Sequence, residues 1–142
     1  MRREYAVIEQ EVLLPGTPEA VFEAYTDPSE HAEFTGSSSS GEAKVGSEFT
    51  AWDGYIIGRY TGMVKGKKIT HEWKTTEWPD GYPTSTVKIT LSAKGGKTLL
   101  VMTHTRVPKE QAEEYRRGWT EFYWEPLERY LSKKKKTARR KI

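Results

Sequence analysis

Four turn signals cut residues 47–107 into short runs: Asp53-Gly54, Lys65-Gly66-Lys67, Pro79-Asp80-Gly81 and Lys94-Gly95-Gly96. Strands joined by such tight turns pair with their sequence neighbours, which predicts an antiparallel meander. The centre of each turn also decides which residues lie opposite one another. Centring on Gly95-Gly96 sets Leu91 against Leu100, Ile89 against Met102 and Val87 against His104. Centring on Asp80 sets Ile69 against Leu91, His71 against Ile89 and Trp73 against Val87, and the Gly66-Lys67 turn adds Val64, Gly62 and Tyr60 to the same face. Their alternates Thr70, Glu72, Lys74, Lys88 and Thr90 are polar, so one face of the sheet is expected to meet water and the other a core.

That core needs a partner layer, and the flanks supply it. Tyr5–Leu14 alternates as a strand, with Ala6, Ile8, Gln10, Val12 and Leu14 on one side, and Pro15-Gly16 ends it. Thr17-Pro18 then reads as an N-cap with proline in the first turn of a short helix bearing Val21, Phe22 and Tyr25. Asp27-Pro28-Ser29-Glu30 repeats the device as a capping box before a second short helix anchored by Phe34, in which His31 is given no role. After Pro108 a helical period places Ala112, Tyr115, Trp119, Phe122, Pro126 and Tyr130 on one face, with a kink expected at Pro126, which cannot donate to the Phe122 carbonyl. The long helix must lie across the apolar side of the sheet.

Composition narrows the function classes. The 142 residues suit one domain, and the absence of cysteine removes disulfide scaffolds, thiol nucleophiles and cysteine-ligated metals, with a reducing cytoplasm as the expected location. No apolar stretch approaches a membrane span, and the first residues lack a signal peptide's apolar segment. Asparagine is absent, glutamine occurs only at Gln10 and Gln111, and Glu far exceeds Asp, a pattern that predicts a thermophilic source. Seven of the 23 basic residues follow Ser132, so sixteen basic against twenty acidic residues leave positions 1–132 at −4. The basic character belongs to the tail. A domain over 1–132, a disordered basic tail over 133–142 and no specific nucleic-acid surface are therefore expected. The loop Gly36-Ser37-Ser38-Ser39-Ser40-Gly41 has the glycine spacing of a phosphate loop, but Glu42 and Ala43 stand where Lys and Ser or Thr are needed.

Several pieces together resemble a known family: Phe34-Thr35-Gly36, Val45-Gly46-Ser47-Glu48-Phe49, Gly54-Tyr55-Ile56-Ile57-Gly58, Trp78-Pro79, Thr103-His104-Thr105 and, above all, Gly118-Trp119 with Tyr123-Trp124-Glu125-Pro126-Leu127. In this order they are similar to the activator of heat-shock protein 90 ATPase homologue family, within the START, birch-pollen-allergen and polyketide cyclase-like superfamily. Ser47 and Arg106 stand where that family often carries glycine. The resemblance implies an α+β helix-grip fold: a curved antiparallel seven-stranded sheet wrapped around a long C-terminal helix, with two short helices after the first strand. It also implies carriage of a small apolar molecule, or co-chaperone-like contact with a chaperone, and it brings no shared catalytic triad.

The expected site is the space between sheet and C-terminal helix. Tyr60, Gly62, His71, Trp73, Val87, Ile89, Met102, His104, Tyr115, Trp119 and Phe122 are the candidate ligand-binding residues. Gly58 and Gly62, four apart on one strand, are expected to leave a hollow on the inner face. The leading expectation is non-enzymatic binding of a small apolar or aromatic ligand. A protein-interaction module is the alternative, and a cyclase- or hydrolase-like enzyme using His104 or His71 as base, with Tyr60 orienting the substrate, is a third. No cofactor is expected. Two inner-face histidines without an inward carboxylate fall short of a metal site.

Overall fold

The computed structural model describes residues 3–140. Strand β1 (Tyr5–Pro15) leads into α1 (Pro18–Thr26) and α2 (Pro28–Thr35). Then come β2 (Ser40–Gly41), β3 (Glu48–Ala51), β4 (Ile56–Val64), β5 (Lys68–Thr75), β6 (Ser85–Lys94) and β7 (Lys97–Pro108). One helical run closes the chain: a 3-10 turn, α3 (Ala112–Trp119), a π-helical turn at Thr120–Trp124 and α4 (Glu125–Arg140). The strands form one antiparallel sheet in the order β1-β7-β6-β5-β4-β3-β2, and the helices cover one face, which is the α+β helix-grip arrangement.

Both short helices start as their sequences require. The Thr17 side chain accepts the Ala20 N–H at 3.1 Å and the Asp27 side chain accepts that of Ser29 at 3.4 Å, caps typically contributing about 1 kcal/mol each. Glu30 does not complete a capping box. Its carboxylate instead accepts the Tyr130 hydroxyl at 2.6 Å and the Lys134 ammonium at 2.7 Å, which ties α2 to α4.

The β6–β7 register is the expected one, with Leu91 against Leu100, Ile89 against Met102 and Val87 against His104. Between β5 and β6 the pairs are Ile69 with Ile89, His71 with Val87 and Trp73 with Ser85, displaced by two residues from the symmetric expectation. The β5–β6 loop is lopsided, because Thr75 leaves β6 and pairs only with Ile56 of β4. A displacement of two leaves every side chain on its own face. In β4 the change is by one: Tyr60 pairs with His71 but Gly62 pairs with Thr70, so Thr61 is an extra, bulged residue. Beyond it the faces exchange. Met63 packs inward opposite Ile69, Val64 is half exposed, and Gly62 lies on the outer face, where an added Cβ would meet only Thr70 at 3.5 Å. A second bulge, in β7 opposite β1, is built around Arg106 at φ 61°.

The helical run keeps the expected face up to Trp119 and then changes phase. The π turn inserts one residue, so Tyr123, Trp124, Leu127 and Leu131 are buried where Phe122, Pro126 and Tyr130 were the candidates. Its cause is local. Pro126 has no N–H for the Phe122 carbonyl, and the Glu125 N–H bonds five residues back to Thr120. Helix α4 also continues past Ser132, where the sequence predicts the ordered domain to end, as far as Arg140. Lys141 and Ile142 lie outside the described residues. Among the described residues no helix is long and apolar enough to cross a membrane.

Candidate functional site

The concavity between sheet and helices is closed at one end and open at the other. At the closed end α1 packs against β6 and β7, and Val87, Ile89 and Met102 are fully buried in the resulting core. Tyr60 packs on Phe49 with ring centroids 4.7 Å apart and borders only a hollow of about 10 Å³. No hollow forms over Gly58, because a Cβ there would collide with the Phe49 ring and the Glu72 carbonyl oxygen. The glycine exists to admit that ring. Of the eleven candidate residues, Tyr60, Gly62, His71, Val87, Ile89, Met102 and His104 thus stand outside the open cavity.

The histidines are spent on the core. His71 Nδ1 donates to the Glu72 carbonyl at 2.9 Å, which leaves Nε2 to accept the Tyr25 hydroxyl at 2.9 Å. His31 repeats the pattern, donating from Nδ1 to the Tyr25 carbonyl at 2.8 Å and accepting the Tyr123 hydroxyl at 3.0 Å. His104 takes the opposite tautomer: Trp119 Nε1 donates to its Nδ1 at 3.1 Å, so its Nε2 donates to Ser85 Oγ at 2.8 Å, which in turn donates to the Trp73 carbonyl at 2.7 Å. Burial holds His71 down to about 4 and His104 to about 3, and lowers His31 as well. All three are neutral imidazoles with both nitrogens engaged, and neither His71 nor His104 keeps a free nitrogen to act as a base.

At the open end lies a cavity of about 330 Å³ lined by Trp52, Tyr55, Ile56, Trp73, Tyr115, Gly118, Trp119, Phe122 and Tyr123. Its volume falls in the range of small-molecule sites and its walls are almost wholly carbon. Four of the candidate residues, Trp73, Tyr115, Trp119 and Phe122, line this cavity. Trp73 and Trp119 face each other across the sheet–helix interface with centroids 5.7 Å apart, and Tyr115 sits edge-on to Trp73 at 5.0 Å. Phe122 is placed differently from expectation. The π turn leaves it 52% exposed at the cavity mouth, edge-on to Trp52 at 5.6 Å.

Trp52, Tyr55, Ile56, Gly118 and Tyr123 also line the wall and are not among the candidate ligand-binding residues, although all but Trp52 lie in the motifs that carry the family resemblance. Trp52 and Asp53 both adopt left-handed backbone, at φ 53° and 57°, an uncommon conformation for a bulky residue. Asp53 pins the turn by accepting the Ser38 N–H at 2.7 Å while its own N–H donates to the Ser38 carbonyl at 3.1 Å, and Trp52 is thereby held over the cavity. Gly118 carried a signal: a lone glycine inside a helical pattern is costly unless packing needs it. Its Cβ would find only Phe122 Cδ2, at 3.8 Å.

The polar heads on this wall can be accounted for one by one. Tyr55 donates to the Glu77 carboxylate, Tyr115 to Gln111 Oε1 at 2.9 Å, Tyr123 to His31 and Trp119 to His104. The indole N–H groups of Trp52 and Trp73 are buried and have no partner. An unpaired buried donor costs roughly 1–3 kcal/mol. No Lys or Arg lines the cavity.

A seven-stranded sheet gripping a helix, with an aromatic cavity at one end of the grip, defines the molecule as a helix-grip protein with a candidate small-molecule site. The chain belongs to the family described as Activator of Hsp90 ATPase homolog 1-like protein, whose model matches residues 15–132. It is 31% identical over 111 residues to the mouse (Mus musculus) activator of 90 kDa heat shock protein ATPase homolog 1, covering 78% of this chain and 32% of that protein. This chain therefore corresponds to about a third of the curated relative's length. Among solved structures, an HSP90 activator from Plasmodium falciparum superposes with a TM-score of 0.76 at 30% identity, covering 90% of this chain and 96% of the other. The Aha1 dimer from Colwellia psychrerythraea superposes at 0.73 with 18% identity, covering 87% and 96%, a likeness of fold.

Proposed function

We propose that this chain binds a small apolar or aromatic molecule in the cavity between the β3–β4 end of the sheet and the α3–π turn. The observation that carries the reading is the cavity itself: about 330 Å³, walled by aromatic rings, with nearly all of its polar heads turned away and bonded elsewhere. A packed core of this composition would collapse onto such a space, since each unfilled volume forfeits dispersion contacts. No catalytic step is assigned, because neither His71 nor His104 offers a free ring nitrogen.

Gly118 gives the test. Its Cβ position is free of clashes, so Gly118→Leu projects its side chain into the cavity, while the helix gains up to about 1 kcal/mol from losing an interior glycine. The fluorescence of N-phenyl-1-naphthylamine is expected to rise with the wild-type protein and not with Gly118→Leu, whose melting temperature stays level or increases. A wild-type protein that leaves the probe dark overturns the reading.

A second reading, docking onto an HSP90-type chaperone, is favoured by the 31% and 30% identities to named activators. It is checked by adding the purified chain to an HSP90 and measuring the rate of ATP hydrolysis. A rate change that survives Gly118→Leu would assign the chaperone contact to a surface other than the cavity.

A further inference from the structure

Strand β1 has a ladder partner on one side only. It is an outermost strand of the sheet, paired with β7. Among the described residues, no backbone–backbone hydrogen bond beyond that pairing involves Tyr5–Pro15. Edge strands are commonly blunted by lysines, or by a proline or bulge that interrupts them. Strand β1 carries no Lys or Arg, its proline is its last residue, and its one irregularity lies between Ala6 and Ile8. From Ile8 to Pro15 the ladder is regular, so about half of the backbone N–H and C=O groups there point away from β7 as an open template.

The C-terminal helical run forms a wall beside this edge. Trp124 Nε1 donates to Gln10 Oε1 at 2.7 Å and Gln10 Nε2 donates to the Arg116 carbonyl at 2.9 Å, which fixes the helix to the strand. Next to that latch is a groove of about 380 Å³, in which Val12 and Trp124 are apolar and Glu11, Glu125 and Glu128 are acidic. All three glutamates are exposed, and none is in an ion pair among the described residues. Glu9 adds a carboxylate on the outer face of β1. No Lys or Arg lines the groove, and the guanidinium of nearby Arg116 is paired with Glu113 at 3.5 Å.

Backbone and charge together choose the occupant. A helix would leave the open N–H and C=O groups of β1 unmet, whereas an extended segment pairs with them and turns every second side chain into the groove. A second copy of β1 is disfavoured. Two such strands paired antiparallel over their full length set Tyr5 opposite Pro15, and therefore Glu9 opposite Glu11 twice, and like charges directly opposite are destabilising. A segment bearing Lys or Arg turns the same carboxylates into attractive contacts.

We propose that the free edge of β1 takes up an extended basic segment of a partner protein as an added strand. Its Lys or Arg side chains meet Glu125 and Glu128 on the helix side and Glu9 and Glu11 on the other. The groove shares no residue with the aromatic cavity, so this interaction stands apart from ligand binding there.

The probe is the fluorescein-labelled peptide Lys-Val-Lys-Val-Lys-Val-Lys. The same peptide with Glu for Lys is the charge control, and a copy methylated at every backbone nitrogen is the pairing control. In anisotropy titrations at low salt the lysine peptide is expected to bind at least about tenfold more tightly than either control. Glu125→Lys combined with Glu128→Lys, both at exposed positions, is expected to weaken it about tenfold and leave the melting temperature within a few degrees. Hydrogen exchange is expected to slow at the β1 amides that face away from β7, which diffuse charge attraction would not produce. Equal binding of the methylated peptide, or unchanged exchange along β1, overturns strand addition. Equal binding of the glutamate peptide overturns the selection for basic side chains. Protection of the same amides that rises with protein concentration in the absence of peptide assigns the edge to a second copy and overturns the proposal as well. If the double charge reversal unfolds, the exchange pattern and the two control peptides decide.

Discussion

Protonating His104 would set two N–H donors, its own and that of Trp119, against each other at Nδ1. His71 and His31 face the same obstacle with a hydroxyl, since each Nε2 accepts from a tyrosine whose O–H would have to turn away. In the unfolded chain these imidazoles titrate near 6.5, and in the folded one His71 is held at about 4 and His104 at about 3. Between those values the unfolded state binds more protons, so stability is complete above pH 6.5 and declines as pH falls toward 4 and 3. Going from pH 7.5 to 5, before most carboxylates titrate, is expected to cost on the order of 2 kcal/mol each for His71 and His104. Calorimetry across that window should show a falling melting temperature. A flat profile would mean that the rings are charged or exposed.

The elements show where the sequence was readable and where it was not. Turn chemistry and alternation made the sheet legible, including every β6–β7 pair, because a two-residue glycine turn admits one register. The β5–β6 loop is longer and has no such constraint, so its pairing slipped by two without moving a side chain to the other face. Single-residue insertions are the ones that mislead. The bulge at Thr61 sent Gly62 outward, and the π turn moved Phe122 to the mouth and brought Tyr123 and Trp124 inside. Neither insertion has a composition signal beyond Pro126, whose missing N–H predicted a kink and delivered a change of phase. Energetics favour that phase. Returning α4 to the other one would gain no bond at the Phe122 carbonyl, since Pro126 has no N–H to give it, while exposing Leu127 and Leu131, each contributing roughly 1.5–3 kcal/mol by burial. Leu127→Ala is therefore expected to lower stability by about 2–5 kcal/mol and Phe122→Ser by no more than about 0.5 kcal/mol, read from denaturant midpoints. The reverse order would restore the uninterrupted helix.

Over the whole molecule, charge is divided between a domain at −4 and a C-terminal segment holding seven basic residues. The two meet at Glu30 and Lys134, a contact between a carboxylate 11% exposed and an ammonium 50% exposed. Such pairs, screened on one side by water, typically contribute about 1 kcal/mol or less. Among the described side chains, the last buried anchor of α4 is Leu131. Truncation after Ser132 is accordingly expected to lower the melting temperature by no more than a few degrees, and a large fall would show that the final turns of α4 hold the fold together.

The sheet order also governs the time at which the fold can be completed. Strand β1 has its ladder partner in β7, more than eighty positions later in the chain. A ribosome therefore releases β1 long before anything exists for it to pair with, and the loop joining the two must be closed against chain entropy before the edge of the sheet forms. Topologies dominated by such distant pairings fold slowly. During that interval the newly made Val7 and Leu13, already half exposed in the finished protein, are borne by a strand with both ladder edges open. The eleven-residue strand β1 is thus a segment whose ladder must wait for the other end of the sheet to be made.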